Sequence, residues 1–225
     1  MHRTAFNSAR QFFANYVPAD VPSRVVEIGS QDVSGSLRSL CPGVAEYVGV
    51  DVAPGAGVDL VLDDPYQLPF ADSSVDFVVS SSCFEHSEFF WVLFDEILRA
   101  LRPAGIFCLN APATGPVHRF PVDCWRFYPD AGEALVNWSR RRGGRTTLLE
   151  SYTSELEGDV WTDYVAVFLK DEQHAALHPR RIRRVPGAQR EGQVPSRSPL
   201  FLHRSHRRAC VRELAGCRHV GELAE

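Results

Sequence analysis

The sequence predicts an α/β fold, a doubly wound sheet of seven strands closed by a terminal antiparallel hairpin. Three observations carry that prediction. Short runs of β-branched residues alternate with amphipathic segments through residues 1–110, the order expected when parallel strands are joined by helical crossovers. The stretch Val25-Val26-Glu27-Ile28-Gly29-Ser30 is followed about twenty residues later by Tyr47-Val48-Gly49-Val50-Asp51, reading as strand, turn, helix and a second strand ending in an acid. Near the other end, strand-like runs at 146–153 and 160–169 are separated by a short Glu157-Gly158-Asp159 turn.

The elements follow in order. Residues 4–17 set Phe12, Phe13 and Tyr16 among polar positions, as an amphipathic helix does, and Pro18 and Pro22 end it. A strand at 24–28 leads to a short helix at 34–40 with Ser34 as N-cap, then to strands at 46–51, 57–62 and 75–80. A helix over 87–101 puts Phe90, Leu93, Phe94, Ile97, Leu98 and Leu101 on one face and stops at Arg102-Pro103-Ala104-Gly105. The fifth strand is 106–110. An aromatic-rich loop over 111–126 precedes a helix at 129–141 and the closing hairpin.

Composition narrows the class. The chain has 225 residues, 44% of them hydrophobic, enough for one such domain over residues 1–170. No apolar run reaches the length of a membrane span, and the N-terminus lacks the apolar stretch of a signal peptide. The six cysteines show neither C-x-x-C spacing nor the density of a disulfide scaffold, so a reduced, cytoplasmic protein is expected. Residues 1–170 carry 13 Lys+Arg against 22 Asp+Glu, and residues 171–225 carry 11 against 6. The acidic body argues against a nucleic-acid partner. Residues 171–225, rich in Arg, Pro, Gly and Ser, have too few apolar residues for a core and read as a largely disordered tail. Its His203, His206, Cys210, Cys217 and His219 lack the short spacings of a zinc site, and no metal is expected.

The first two strands also say what kind of ligand the fold holds. A turn after the first strand lets a ligand approach the backbone, and a carboxylate ending the second accepts hydrogen bonds from ribose hydroxyls. The full G-x-G-x-x-G of a dinucleotide site is absent. Glu27 and the single Gly29 instead suit an adenosine without a pyrophosphate, such as S-adenosylmethionine.

The motifs in sequence order resemble a class I S-adenosylmethionine-dependent methyltransferase. They are Glu27-Ile28-Gly29, Gly49-Val50-Asp51, Asp64-Pro65-Tyr66-Gln67-Leu68-Pro69-Phe70, Ser74 to Ser80, and Glu96 to Gly105. The last resembles the small-molecule "type 11" branch of that family. The resemblance covers residues 20–170 and implies a Rossmann-like sheet, with S-adenosylmethionine as cofactor and a small molecule as acceptor. It places Glu27, Gly29 and Ser30 beside the methionine part of the cofactor, and Asp51 with Val52 at the ribose. Asp64 falls at the adenine amino group in preference to Asp63, and Pro65 and Tyr66 along the base. Ser81, Ser82 and Cys83 fall under the cofactor. Gln31 stands where the family has its second glycine, which makes the loop bulkier. The words Ser80 to His86 and His118 to Asp130 further resemble a subgroup associated with bacterial glycan gene clusters, which implies a sugar or metabolite hydroxyl as acceptor.

Methyl transfer is an in-line displacement that needs positioning, and an oxygen acceptor also needs a base. Two segments offer one: His86, where the chain leaves the fourth strand, and His118 with Asp123 in the loop after the fifth. Arg119 and Arg126 are candidates to hold an acidic group, and the loop aromatics to stack on a ring. The rivals are a nicotinamide oxidoreductase, which Asp51 alone would also fit, and a non-catalytic scaffold.

Overall fold

The structure, a computed structural model, describes residues 3–154, 160–179 and 181–182, all within the unit formed by residues 1–194. Its strands are β1 (Arg24–Ile28), β2 (Glu46–Asp51), β3 (Leu60–Val61), β4 (Val75–Ser81), β5 (Leu101–Thr114), β6 (Thr147–Thr153) and β7 (Thr162–Leu169). They form one sheet in the order β3-β2-β1-β4-β5-β7-β6. The first five run parallel, and β7 pairs antiparallel with both β5 and β6, so the predicted fold class is the observed one. The hairpin turn, residues 155–159, lies outside the described residues.

Strand alternation builds two cores. On one face Val25, Phe77, Val79, Ile106, Val165 and Val167 pack against Phe12, Phe13 and Tyr16 of helix α1 (Arg3–Tyr16). On the other, Val26, Val78, Phe107, Leu109 and Phe168 meet Phe94 and Ile97 of α2 (Phe90–Ala100) and Leu135 and Val136 of α3 (Asp130–Arg141). Each such side chain contributes about 1.5–3 kcal/mol by leaving water.

Four expectations change. The helix over 34–40 is a 3-10 turn at Arg38–Leu40 whose N-cap position is Leu37, not Ser34: Asp32 accepts from Gly35 N (2.7 Å) and holds this Ser/Gly-rich segment as a turn. The third strand shrinks to two residues, because Asp59 is drawn off to Gly49 N (2.7 Å) and to the Arg38 guanidinium. The long helix starts at Phe90, since Ser87 O accepts from Trp125 Nε1 (2.9 Å) and Phe89 N donates to the Tyr66 hydroxyl (3.1 Å), bending the chain before it. The supposed helix stop is already β5, which runs on through Thr114.

The ordered body also extends past Lys170. A 3-10 segment at Glu172–Leu177 follows β7, and Ile182 is buried in the α1-side core. Its backbone N–H donates to Glu150 (2.7 Å), the carboxylate that also receives the Tyr16 hydroxyl. Ile182 was assigned to the tail because one apolar residue among arginines carries no periodicity. The rest of the expected disordered tail, 183–225, lies outside the described residues, as do its histidines and cysteines.

Candidate active site

A cavity of about 950 Å³ opens where β1, β2 and β4 end. This is where an open α/β sheet offers ligand space, because strand ends leave backbone groups and loops facing a crevice. Its inner end is formed by Glu27, Gly29, Ser30 and Asp51, its flank by Leu62, Pro65 and Tyr66, and its floor by Ser81, Ser82 and Cys83.

The Glu27 carboxyl is buried and accepts one hydrogen bond, from the Tyr47 hydroxyl (2.6 Å). Burial pushes it up to about 7, with Tyr47 and Arg38 pulling the other way and Asp32 and Asp51 adding to the rise. Asp51 accepts from Gln31 N (3.0 Å) and Val52 N (2.7 Å), so the first turn is tied to the end of β2. Gln31 sends its side chain away to Pro54 O (3.2 Å). The bulk feared at this position is therefore laid over the next loop.

Gly29 sits at φ +77° with Cys83 against it: a Cβ there would lie 2.6 Å from the Cys83 Cβ. Ser82 also has positive φ (53°), an uncommon conformation for a residue with a side chain, and its amide donates to Asn110 O (3.0 Å). Burial pushes the Cys83 thiol up to about 12, which makes it an inert filler rather than a nucleophile. Asp64 does not line the cavity; it accepts from Tyr66 N (2.8 Å) in a turn that presents Pro65 and Tyr66 to it.

The outer end is assembled from two segments. Glu85 and His86 lie in a 3-10 turn just after β4, and the loop 115–128 folds back over it, with Cys124 N donating to Glu85 O (2.7 Å). His118 thereby meets His86 edge to face, centroids 4.9 Å apart, and stands against Trp161 at 4.8 Å. Glu85 is fully buried, and neither carboxylate oxygen has a hydrogen bond of ordinary geometry among the described residues. That burial pushes its carboxyl up to about 8, its own amide and Arg126 offsetting part of the rise. His118 is lowered, chiefly by burial, so its ring is neutral near pH 7.

Asp123 does not reach the cavity. It stands behind His118, accepting from its backbone N–H (2.7 Å) and pairing with both arms of Arg126 (2.5 and 2.8 Å). That guanidinium holds Asp123 well below the usual carboxylate range, so it is poorly suited to take a proton. Arg126 also donates to Pro116 O and Trp125 O (both 2.8 Å); it fastens the loop and is not free for an acidic group on a ligand. Arg119, exposed at the rim, has no ion pair among the described residues. Of the loop aromatics, Phe120 lines the cavity, while Phe127 turns into the core and Trp125 packs against Phe90 and Trp91 of α2.

Sequence reasoning missed Tyr47, Glu85, Trp161 and Asp163. Trp161 and Asp163 line the cavity from the start of β7, next to β5 in space and far from it in sequence. Only the Glu85-His86 adjacency hinted at a buried acid.

Residues 26–109 match the family described as "Methyltransferase domain". They carry that domain's pattern on a class I methyltransferase fold. A malonyl-[acyl-carrier protein] O-methyltransferase from Methylococcus capsulatus is 35% identical over 98 residues, 37% of this chain and 35% of the relative, so the chain spans about a third of that protein's length. Among solved structures, a Burkholderia thailandensis 1,6-didemethyltoxoflavin-N1-methyltransferase with bound 1,6-didemethyltoxoflavin and S-adenosylhomocysteine superposes with a TM-score of 0.58 at 14% identity, over 75% of this chain and 79% of that one. The YcgJ protein of Bacillus subtilis gives 0.55 at 13% identity, over 76% and 100%. The [4+2]-cyclase SpnF gives 0.54 at 13%, over 74% and 81%. A methyltransferase-domain fold thus also occurs in a protein named for a cyclisation, and the chemistry here has to be argued from the site. Among the described residues, no helix is long and apolar enough to cross a membrane.

Proposed function

We propose that this protein transfers a methyl group from S-adenosylmethionine to the hydroxyl of a small-molecule acceptor, a sugar or related metabolite. One observation carries the reading: a single cavity has a buried carboxyl and a strand-end carboxylate at its inner end and two imidazoles at its outer end.

S-adenosylmethionine is the cofactor, and the residues present fit it. Glu27 offers its carboxylate to an ammonium group. Asp51 offers acceptor oxygens at the end of β2, where ribose hydroxyls are held in this fold. The missing Cβ of Gly29 makes room for Cys83 to pack against the turn that borders the cavity. Leu62, Pro65 and Tyr66 provide an apolar flank for a purine. When bound, the cofactor supplies a sulfonium methyl as electrophile.

The chain's own work is to orient the acceptor and take its proton. His86 donates Nδ1–H to Val122 O (2.5 Å), which leaves the Nε2 lone pair pointing towards the Glu85 side. His118 has Nδ1 3.3 Å from Asp123 and Nε2 3.9 Å from Glu85. Either Nε2 is suited to accept the hydroxyl proton, while the bound cofactor would supply the methyl group and a thioether sulfur as leaving group. Asp123 acts through His118 as a positioning residue. The subgroup resemblance in the two loop segments is what favours a glycan or metabolite hydroxyl over other acceptors.

Replacing Asp51 by Asn removes the charge and one of the two turn contacts, because the amide nitrogen cannot accept from Gln31 N or Val52 N. Cofactor affinity should fall about fivefold, roughly 1 kcal/mol, the difference between a charge-assisted and a neutral hydrogen bond. Titration calorimetry of the full chain checks this, and an unchanged affinity would remove Asp51 from the ribose.

A further inference from the structure

We propose that Glu85, His86 and His118 form a binding site for one divalent first-row transition-metal ion at the acceptor end of the cavity. One ligand atom from each lies within 4.8 Å of the others, with Glu85 Oε1 3.6 Å from His86 Nε2 and 3.9 Å from His118 Nε2. Bound ions draw such atoms to about 3–3.5 Å apart, since each metal–ligand bond is about 2.0–2.2 Å, so the longest separation has to close by roughly 1.5 Å, shared between the side chains.

Three independent features favour an ion over a simple polar cluster. Glu85 is fully buried with both oxygens lacking hydrogen bonds, a cost a folded protein rarely carries unless something completes it. Both histidines also turn Nε2 towards Glu85. Nδ1 of His86 donates to the Val122 carbonyl, whereas Nδ1 of His118 lies 3.3 Å from Asp123 without a hydrogen bond of ordinary geometry among the described residues. Metal-binding histidines are oriented as His86 is, one ring nitrogen on a carbonyl or carboxylate and the other on the metal. Third, the three groups line one wall of an open cavity. Coordination positions facing the cavity stay free for a hydroxyl oxygen. Two imidazoles and one carboxylate suit zinc, iron(II), manganese or cobalt rather than calcium or magnesium. The expectation of no metal rested on spacing: thirty-two residues separate His86 from His118, and the loop closure that joins them leaves no local motif.

Ion binding does not depend on the methyl-transfer reading; only the ion's role rests on it, and with the ion in place both Nε2 atoms are ligands, so the ion holds the acceptor oxygen and eases loss of its proton in place of an imidazole base. The test uses the full chain, stripped with a chelator and titrated with Zn2+ by calorimetry and with Co2+ by its visible ligand-field absorption. Glu85→Gln and His118→Ala are titrated in parallel, with folding checked by circular dichroism. S-adenosylmethionine binding is measured on the same metal-free samples. The native chain should take up one equivalent of ion that both variants bind at least about a hundred-fold more weakly, the loss of a direct ligand exceeding the 10–100-fold typical of an outer partner. Cofactor affinity should be the same in all three. Equivalents surviving in both variants belong elsewhere, including the tail histidines and cysteines. Native-like uptake in both variants, or none in the native chain, would overturn the site. Ion uptake with no cofactor binding by the native chain would leave the site standing and remove the methyl-transfer reading instead.

Discussion

Gly29→Val is expected to abolish cofactor binding and to lower stability by about 2–5 kcal/mol, the combined cost of a left-handed backbone for a β-branched residue and of overpacking. The position allows no escape. Its φ is +77°, and the new Cβ would meet Cys83 Cβ at 2.6 Å and Sγ at 2.8 Å. Cys83 cannot retreat easily, because the preceding Ser82 is itself at positive φ and tied to Asn110. Relief would have to come from the β1 turn moving into the cavity, where a ligand would lie. Denaturant unfolding and calorimetry on the variant check both effects; a stable, cofactor-binding Gly29→Val protein would mean that the ligand lies away from this turn. Cys83→Ala/Gly29→Ala, which removes the sulfur contact, should recover part of the stability and none of the φ penalty.

Glu27→Gln should weaken S-adenosylmethionine by roughly 10–100-fold near neutral pH, the scale of a lost charge-assisted contact of about 1.5–3 kcal/mol. The pH profile is more diagnostic. In the free protein burial lifts the Glu27 carboxyl to about 7, so below that pH it is protonated and presents no charge to an ammonium. Affinity of the native protein should therefore rise from pH 5 to 7, with proton release at the lower end. It should fall again where the ligand's amino group deprotonates, near the α-amino range of about 7.7–8.0. The Gln variant should be flat from pH 5 to 7. Stability runs the other way. A carboxyl whose folded value is raised from 4.5 favours the folded state fully below 4.5 and progressively less as pH rises to about 7. Above that, Glu27 costs up to about 3 kcal/mol relative to a group with no shift. Glu27→Gln should thus melt at the same or a higher temperature at pH 8 while binding more weakly, as expected where a group is kept for function at the expense of stability. A pH-independent native affinity would separate Glu27 from the ligand.

Most of the fold was legible because it is written in local patterns. The β-branched runs at Val25-Val26 and Val78-Val79 and the 3.6-residue stripe of α2 each follow from burial on a known face. The segment 34–40 reads as a helix with Ser34 as N-cap, but its Ser/Gly composition prefers side-chain-capped turns. The cofactor end was legible for the same reason as the strands: Glu27 and Asp51 sit at strand ends, and strand ends are visible in sequence. The acceptor end was not. Whether Asp123 points into the cavity or behind His118 depends on Arg126, three residues on, claiming both its oxygens. Trp161 reaches the cavity only because β7 inserts beside β5. Glu85 is buried because the loop 115–128 closes over it, and nothing local in the sequence marks that closure.

The central claim, that the cavity at the ends of β1, β2 and β4 is built for S-adenosylmethionine, is tested most directly by calorimetric titration of the full chain with S-adenosylmethionine, S-adenosylhomocysteine and NAD. The account predicts micromolar, one-to-one binding of the two sulfur ligands and none of NAD. Binding of NAD alone, or of no ligand, would contradict it.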